Sequence, residues 1–108
     1  MLNQVMVIGR LVETPILEEN EKGIKVTVIT LAVSRCFKND EGLYDTDFIK
    51  CETYRTLAET TTEYCKKGDL VAVKGRLECL DNNNLHLIAE KITFLANNKT
   101  NNNNKEEE

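Results

Sequence analysis

Apolar and polar residues alternate along most of the chain, and a period of two residues is typical of β-strands rather than of helices. The alternation predicts five strands, over residues 5–12, 24–33, 47–54, 70–79 and 85–94. In the fourth of these, Val71, Val73 and Leu77 share one face, while Lys74 and Arg76 share the other. We therefore expect a sheet with one buried and one solvent-facing side.

Two of the predicted strands change the phase of their alternation. In the second strand, the inward apolar set would have to change between Val28 and Ile29, because both residues are apolar. A straight strand would turn half of these side chains to water, so we expect a β-bulge or a bend there. The fifth strand changes phase in the same way after Leu87. Gly9 interrupts the first strand, which predicts a bulge or a close approach of two backbones.

A single helix is predicted between the third and fourth strands. Thr56 followed by Glu59 matches a capping box at a helix start, and Gly68 is the expected stop. The face expected to pack on the sheet holds Leu57, Thr61, Tyr64 and Cys65. Five strands with a helix between strands three and four predict an all-β OB-fold, a five-stranded Greek-key barrel. Another small barrel with one helix, such as an SH3-like fold, is the alternative.

Composition separates a body from a tail. Residues 1–96 are expected to form one domain, whereas residues 97–108 contain six asparagines, five charged residues and nothing apolar. Such a segment cannot offset its ordering entropy by burial, so a disordered tail is expected. No apolar run approaches the roughly 20 residues of a membrane span. The apolar start of the chain lacks the basic region of a secretory signal, so we expect a cytoplasmic protein.

Charge is distributed unevenly along the chain. The net charge is −4, yet residues 22–38 hold four bases and no acid, between two acidic runs at 13–21 and 39–47. Because salt screens charges beyond about 8 Å, a local positive face can bind an anion despite the total. The acidic runs are then expected in loops away from the strands. A mixed-charge surface without a binding role is the alternative.

The residues that build catalytic and metal sites are sparse. The four cysteines are scattered without a C-x-x-C pair, and His86 is the single histidine. We therefore expect reduced thiols, no metal and no cofactor. No nucleophile motif, phosphate-binding glycine loop or carboxylate cluster is present, so an enzyme is not expected.

Four segments closely resemble, in order and spacing, the bacterial single-stranded DNA-binding protein family: NQVMVIGRL, ITLAVSRCFKNDEG, DFIKCETYRTLAE and YCKKGDLVAVKGRL. The resemblance covers residues 3–94. It implies an OB-fold that binds single-stranded DNA, without strong sequence preference, in replication, recombination and repair. It also implies a homotetramer whose subunits pair across the first strand, and a location at the nucleoid. A protein-interaction OB module and a primosomal or mobile-element relative are the alternatives.

The resemblance also implies which side chains contact DNA. The family's base-stacking aromatics match Phe37, Phe48 and Tyr54, and an exposed ring can stack on any base. A fourth family aromatic, on the hairpin before the last strand, has no counterpart in LECLDNNNLH. Nearby cations would neutralise phosphates. The candidate cations are Arg10, Lys25, Arg35, Lys38, Lys50, Arg55, Lys74 and Arg76.

The remaining aromatics and the tail carry weaker expectations. Tyr64 and Phe94 are expected in the core, because strand and helix aromatics are more often buried than exposed. Tyr44, in an acidic loop tip, is a weaker candidate for base contact. Family members commonly end in an acidic tip with apolar residues that recruits replication and repair proteins. The final KEEE has no apolar residue, so such recruitment is doubtful.

Overall fold

The computed structural model describes residues 1–81 and 83–97. Within them, the elements in chain order are β1 (Val5–Leu11), β2 (Glu18–Glu19), β3 (Lys25–Lys38), β4 (Tyr44–Tyr54), α1 (Arg55–Tyr64), β5 (Leu70–Leu80) and β6 (Asn84–Ala96). The strands form one sheet in the order β1-β5-β6-β4-β3-β2, and β1 also pairs with β3, which closes the sheet into a barrel. Apart from the two-residue β2, this is the predicted five-stranded OB-fold with its helix after the third long strand.

The barrel interior is filled from every long strand. Its buried apolar side chains are Leu11, Ile29, Leu31, Cys51, Val71, Val73, Leu87 and Ala89. The helix α1 covers one end of the barrel and buries Ala58 and Thr61 there. The helix α1 has ten residues and is too short and too polar to cross a membrane. The described residues contain no other α-helix. The predicted tail, apart from Asn97, lies outside the described residues.

The prediction of a bulge between Val28 and Ile29 is wrong. β3 pairs with β4 in one unbroken register along this stretch, and a register shift occurs only beyond Ser34. Thr27 takes the inward position instead of Val28, which is 51% exposed. A threonine can be buried there because its hydroxyl donates to the carbonyl oxygen of Ile16 at 3.1 Å.

A change of phase in the last strand is confirmed, but it lies at Glu90, between Ala89 and Lys91, and not directly after Leu87. Leu87, Ile88 and Ala89 are all buried although they are consecutive. The register of β6 on β5 indeed shifts, between the pairs formed by Lys74 and by Gly75.

Two glycines allow strands to cross closely. A Cβ atom on Gly9 would lie 2.7 Å from the carbonyl oxygen of Ala32, which confirms the predicted close approach of β1 to β3. At Gly75 the same atom would lie 2.1 Å from the carbonyl oxygen of Ile88. Gly75 therefore permits the register shift between β5 and β6, a role that its position in the alternating pattern did not indicate.

The predicted capping box is wrong. The helix begins at Arg55 with Tyr54 as its N-cap, and no side chain caps it. Its C-cap is Cys65, so the helix also ends before Gly68. Arg55 has a φ of 61°, a left-handed conformation that turns the chain sharply from β4 into α1. This turn starts the helix two residues earlier than an N-cap at Thr56 would.

The two aromatics expected in the core lie at the surface. Tyr64 is 68% exposed and Phe94 is 45% exposed. Thr61 and Cys65 take the inward positions of this end of the helix, as expected, and leave Tyr64 at its edge. Phe94 pairs with Val71 of β5, just before a second register shift of β6 that lies between Phe94 and Ala96.

Candidate nucleic-acid interface

The outer face of β3 and β4 holds two of the three predicted stacking residues. Side chains alternate along each strand, and Cys51 and Thr53 of β4 point into the barrel. Phe48 and Tyr54 therefore point outward. Phe48 is 66% exposed, and Tyr54 is partly exposed. The two residues are six positions apart on β4, which corresponds to about 20 Å along the strand.

Phe37 lies near the tip of the same hairpin. It lies within the register shift of β3, between Ser34 and Lys38, and is 68% exposed. Tyr44 begins β4 opposite Lys38 and is 56% exposed. The Lys38 ammonium lies 5.9 Å from the centre of the Tyr44 ring, within cation–π range. Aromatic surface thus extends from the tip of the β3–β4 hairpin to the start of α1.

Tyr54 is anchored by a polar contact to its own strand. Its hydroxyl donates a hydrogen bond of 2.5 Å to Glu52 Oε1, and this bond, together with burial, raises the pKa of Tyr54 to about 12. The other Glu52 oxygen contacts His86 Nδ1 on β6. Burial acts to raise the pKa of Glu52, but the hydrogen bonds from Tyr54 and His86 prevail and lower it. The ring edge of Tyr54 is therefore fixed beside an ionised carboxylate.

Sequence reasoning did not find the contact between Glu52 and His86. The two residues are 34 positions apart. They meet because β4 and β6 pair in parallel, with Glu52 opposite Ile88. Nothing in the alternating pattern fixes that register, so no signal in a single sequence could have joined them.

Three of the candidate cations are already paired with carboxylates. Arg35 donates two hydrogen bonds of 3.0 Å to Asp47, which lower the pKa of that carboxyl, and lies 3.6 Å from Asp45. Lys25 pairs with Glu19 at 2.8 Å.

Arg76 is the third paired cation. It contacts Glu78 at 2.5 Å on its own strand and Glu90 at 3.2 Å on β6. The expectation that acidic residues occupy loops away from the strands is therefore wrong. Asp45 and Asp47 belong to β4 itself, where each can reach a cation on β3. Much of the local positive charge is neutralised within the protein.

The remaining candidate cations divide between two surfaces. Lys50 points outward on β4 between Phe48 and Glu52, and Arg55 is exposed directly after Tyr54. Within residues 1–81 and 83–97, no ion pair involves either cation.

Arg10 and Lys74 lie on and beside the first strand. Lys74 is opposite Met6 of β1, and Arg10 is opposite Leu70 of β5. Arg10 also donates a hydrogen bond of 3.0 Å to the carbonyl oxygen of Gly68. Lys74 thus lies away from the aromatic surface. Arg10 also pairs with Ala32 of β3, which is the cross-strand partner of Phe48, so Arg10 lies at the edge of that surface. Among the described residues, no group of three His, Cys, Asp or Glu side chains could hold a metal ion.

Comparison with known proteins decides the family. The model of the single-strand binding protein family matches residues 2–95, which is nearly the whole described chain. The chain belongs to the single-strand binding protein family. The barrel and the exposed aromatic residues of β3 and β4 are thus those of a member of this family.

Several bacterial family members are close relatives. The chain is 46% identical over 78 residues to Single-stranded DNA-binding protein B of Bacillus subtilis (strain 168), a match that covers 72% of the chain and 69% of that protein. It is 40% identical to the Single-stranded DNA-binding protein of Halalkalibacterium halodurans, over 88% of the chain and 61% of the relative. It is 36% identical to Single-stranded DNA-binding protein 3 of Listeria innocua, over 99% of the chain and 76% of the relative.

Proposed function

We propose that the protein binds single-stranded DNA, without strong sequence preference, across the outer face of β3 and β4. The observation that carries this proposal is the exposure of Phe37 and Phe48, each about two-thirds open to solvent, on a strand pair of a single-strand binding family member. Stacking on such rings is worth about 1–3 kcal/mol per base and is open to every base.

Each group would have a distinct role in binding. Phe37, Phe48 and Tyr54 would stack on bases, while Lys50 and Arg55 would neutralise phosphates between them. Lys38 would bind a phosphate near the tip of the hairpin. The proposed role is binding and protection rather than catalysis, in replication, recombination and repair, in the cytoplasm at the nucleoid.

We also propose assembly into a homotetramer through the first strand. Met6 is 65% exposed and Ile8 is 51% exposed on the outer face of β1. Their cross-strand neighbours on β5 are Lys74 and Ala72. A contiguous apolar surface of this kind supports a contact between subunits. In this arrangement Lys74 would lie near the subunit contact and contribute little to DNA binding.

Fluorescence anisotropy with labelled oligo-dT tests the binding proposal. The double variant Phe37→Ala/Phe48→Ala should lose about 2–6 kcal/mol of binding free energy, since two stacking contacts are removed. The matched control is Tyr64→Ala/Phe94→Ala, which removes two exposed aromatics from the groove between α1 and β6. It should bind like the wild type. Equal losses in both variants, or no binding by the wild type, would contradict the proposal.

A further inference from the structure

A charged cluster crosses three strands beside Tyr54. Glu52 on β4 contacts both the Tyr54 hydroxyl and His86 on β6. His86 lies opposite Glu78 of β5, and Glu78 is in turn paired with Arg76. The side chains of His86 and Glu52 are 27% and 17% exposed, so solvent screens this pair less than the surface pairs of the hairpin.

The charges around His86 come from all of its neighbouring strands. β4 contributes Glu52 and, two residues earlier on the same face, Lys50. β5 contributes Glu78 and Arg76, and β6 itself contributes Glu90, which is paired with Arg76. The groove between the helix and β6 is lined by Ile92 and Phe94, six and eight residues beyond His86.

The protonation of His86 decides whether the Glu52 charge is compensated. Histidine is the side chain that ordinarily changes charge between about pH 5 and pH 8. When His86 is protonated, it and Glu52 are neutral as a pair. When His86 is neutral, the Glu52 carboxylate remains as an uncompensated negative charge beside the Tyr54 ring. A phosphate that approaches this ring is then repelled.

We propose that Glu52 and His86 set the affinity of the Tyr54 contact for single-stranded DNA, so that the DNA binds more tightly when His86 is protonated. This inference rests on the proposed function, since it concerns the same surface. The direction of this pH dependence follows from linkage. A ligand that prefers the protonated state loses affinity as pH rises through the range in which the proton is lost. By reciprocity, bound DNA makes His86 hold its proton more tightly.

Oligo-dT binding measured from about pH 5 to pH 8 tests the inference. Wild-type affinity should fall by about threefold to tenfold across this range, as expected for one charge within several ångströms of a phosphate. His86→Gln, which cannot titrate, should bind with a nearly constant affinity equal to that of the wild type at high pH. Glu52→Gln keeps an acceptor for the Tyr54 hydroxyl without the charge, and should bind more tightly than the wild type at high pH. The control Glu63→Gln removes a charge from α1 and should keep the wild-type pH dependence.

A second measurement needs no variant. Because His86 is the single histidine of the chain, its imidazole gives one set of NMR signals. The midpoint of its titration should move to higher pH when oligo-dT is bound. Tight binding with no pH dependence and an unmoved midpoint would overturn the inference and leave the proposed function intact. Absence of binding at every pH would instead contradict the proposed function, and the inference with it.

Discussion

At the scale of single residues, Arg55 combines a strained backbone with a candidate phosphate contact. Its φ of 61° lies in the left-handed region, which costs a residue with a Cβ atom roughly 1–2 kcal/mol. Glycine avoids that cost but loses more conformational entropy on folding. Arg55→Gly should therefore stabilise the fold by about 0.5–1 kcal/mol in urea unfolding.

The same substitution should weaken DNA binding. If Arg55 neutralises one phosphate, Arg55→Gly should flatten the salt dependence of oligo-dT affinity by about one unit. The control Arg55→Lys keeps both the cation and the strained φ, so its stability and its salt slope should stay close to those of the wild type. A glycine variant that is less stable than the lysine variant would contradict the account of this turn.

At the scale of elements, the crossing of β5 over β6 depends on Gly75. An added methyl group would meet the Ile88 carbonyl oxygen, which is backbone and cannot rotate away. Gly75→Ala should therefore destabilise the protein by at least about 2 kcal/mol, measured by thermal or urea unfolding.

A turn glycine provides the comparison. Gly23 has a φ of 80° and open space around it. Gly23→Ala should therefore destabilise the fold only through the strain of a positive φ. We expect it to cost about 1 kcal/mol. If Gly75→Ala and Gly23→Ala lowered the free energy of unfolding equally, the close approach of β5 to β6 at Gly75 would be contradicted.

The strands and the barrel could be predicted because alternation reports which side of a sheet is buried. The pattern failed where a polar residue is buried with a partner: Thr27 faces inward because the Ile16 carbonyl accepts its hydroxyl. It also failed at the helix start, which depends on the backbone of Arg55 and not on a capping side chain. The contact between Glu52 and His86 depends on a parallel register, which no local pattern encodes.

At the scale of the whole molecule, several of the candidate cations for DNA binding are paired with acidic side chains of the protein itself. Asp47 holds Arg35 with two hydrogen bonds and competes with any phosphate for it. Asp47→Asn should release Arg35 and tighten oligo-dT binding by about threefold at low salt, with a steeper salt dependence. The change is measured by anisotropy titrations at several salt concentrations.

The matched control for Asp47 is Asp40. Asp40→Asn removes the same charge from the tip of the same hairpin. Asp40 forms no ion pair with any of the described residues. It should change affinity less than Asp47→Asn does. Equal gains from both variants would mean that net charge, rather than the release of Arg35, governs binding.

The proposed function requires that bases stack on the outer face of β3 and β4. Photocrosslinking with an iododeoxyuridine-substituted oligonucleotide, followed by mass spectrometry of the linked peptides, tests it most directly. We expect crosslinks at Phe37, Phe48 and Tyr54. Crosslinks confined to Tyr64 or Phe94, which are also exposed but lie beside the helix, would contradict it.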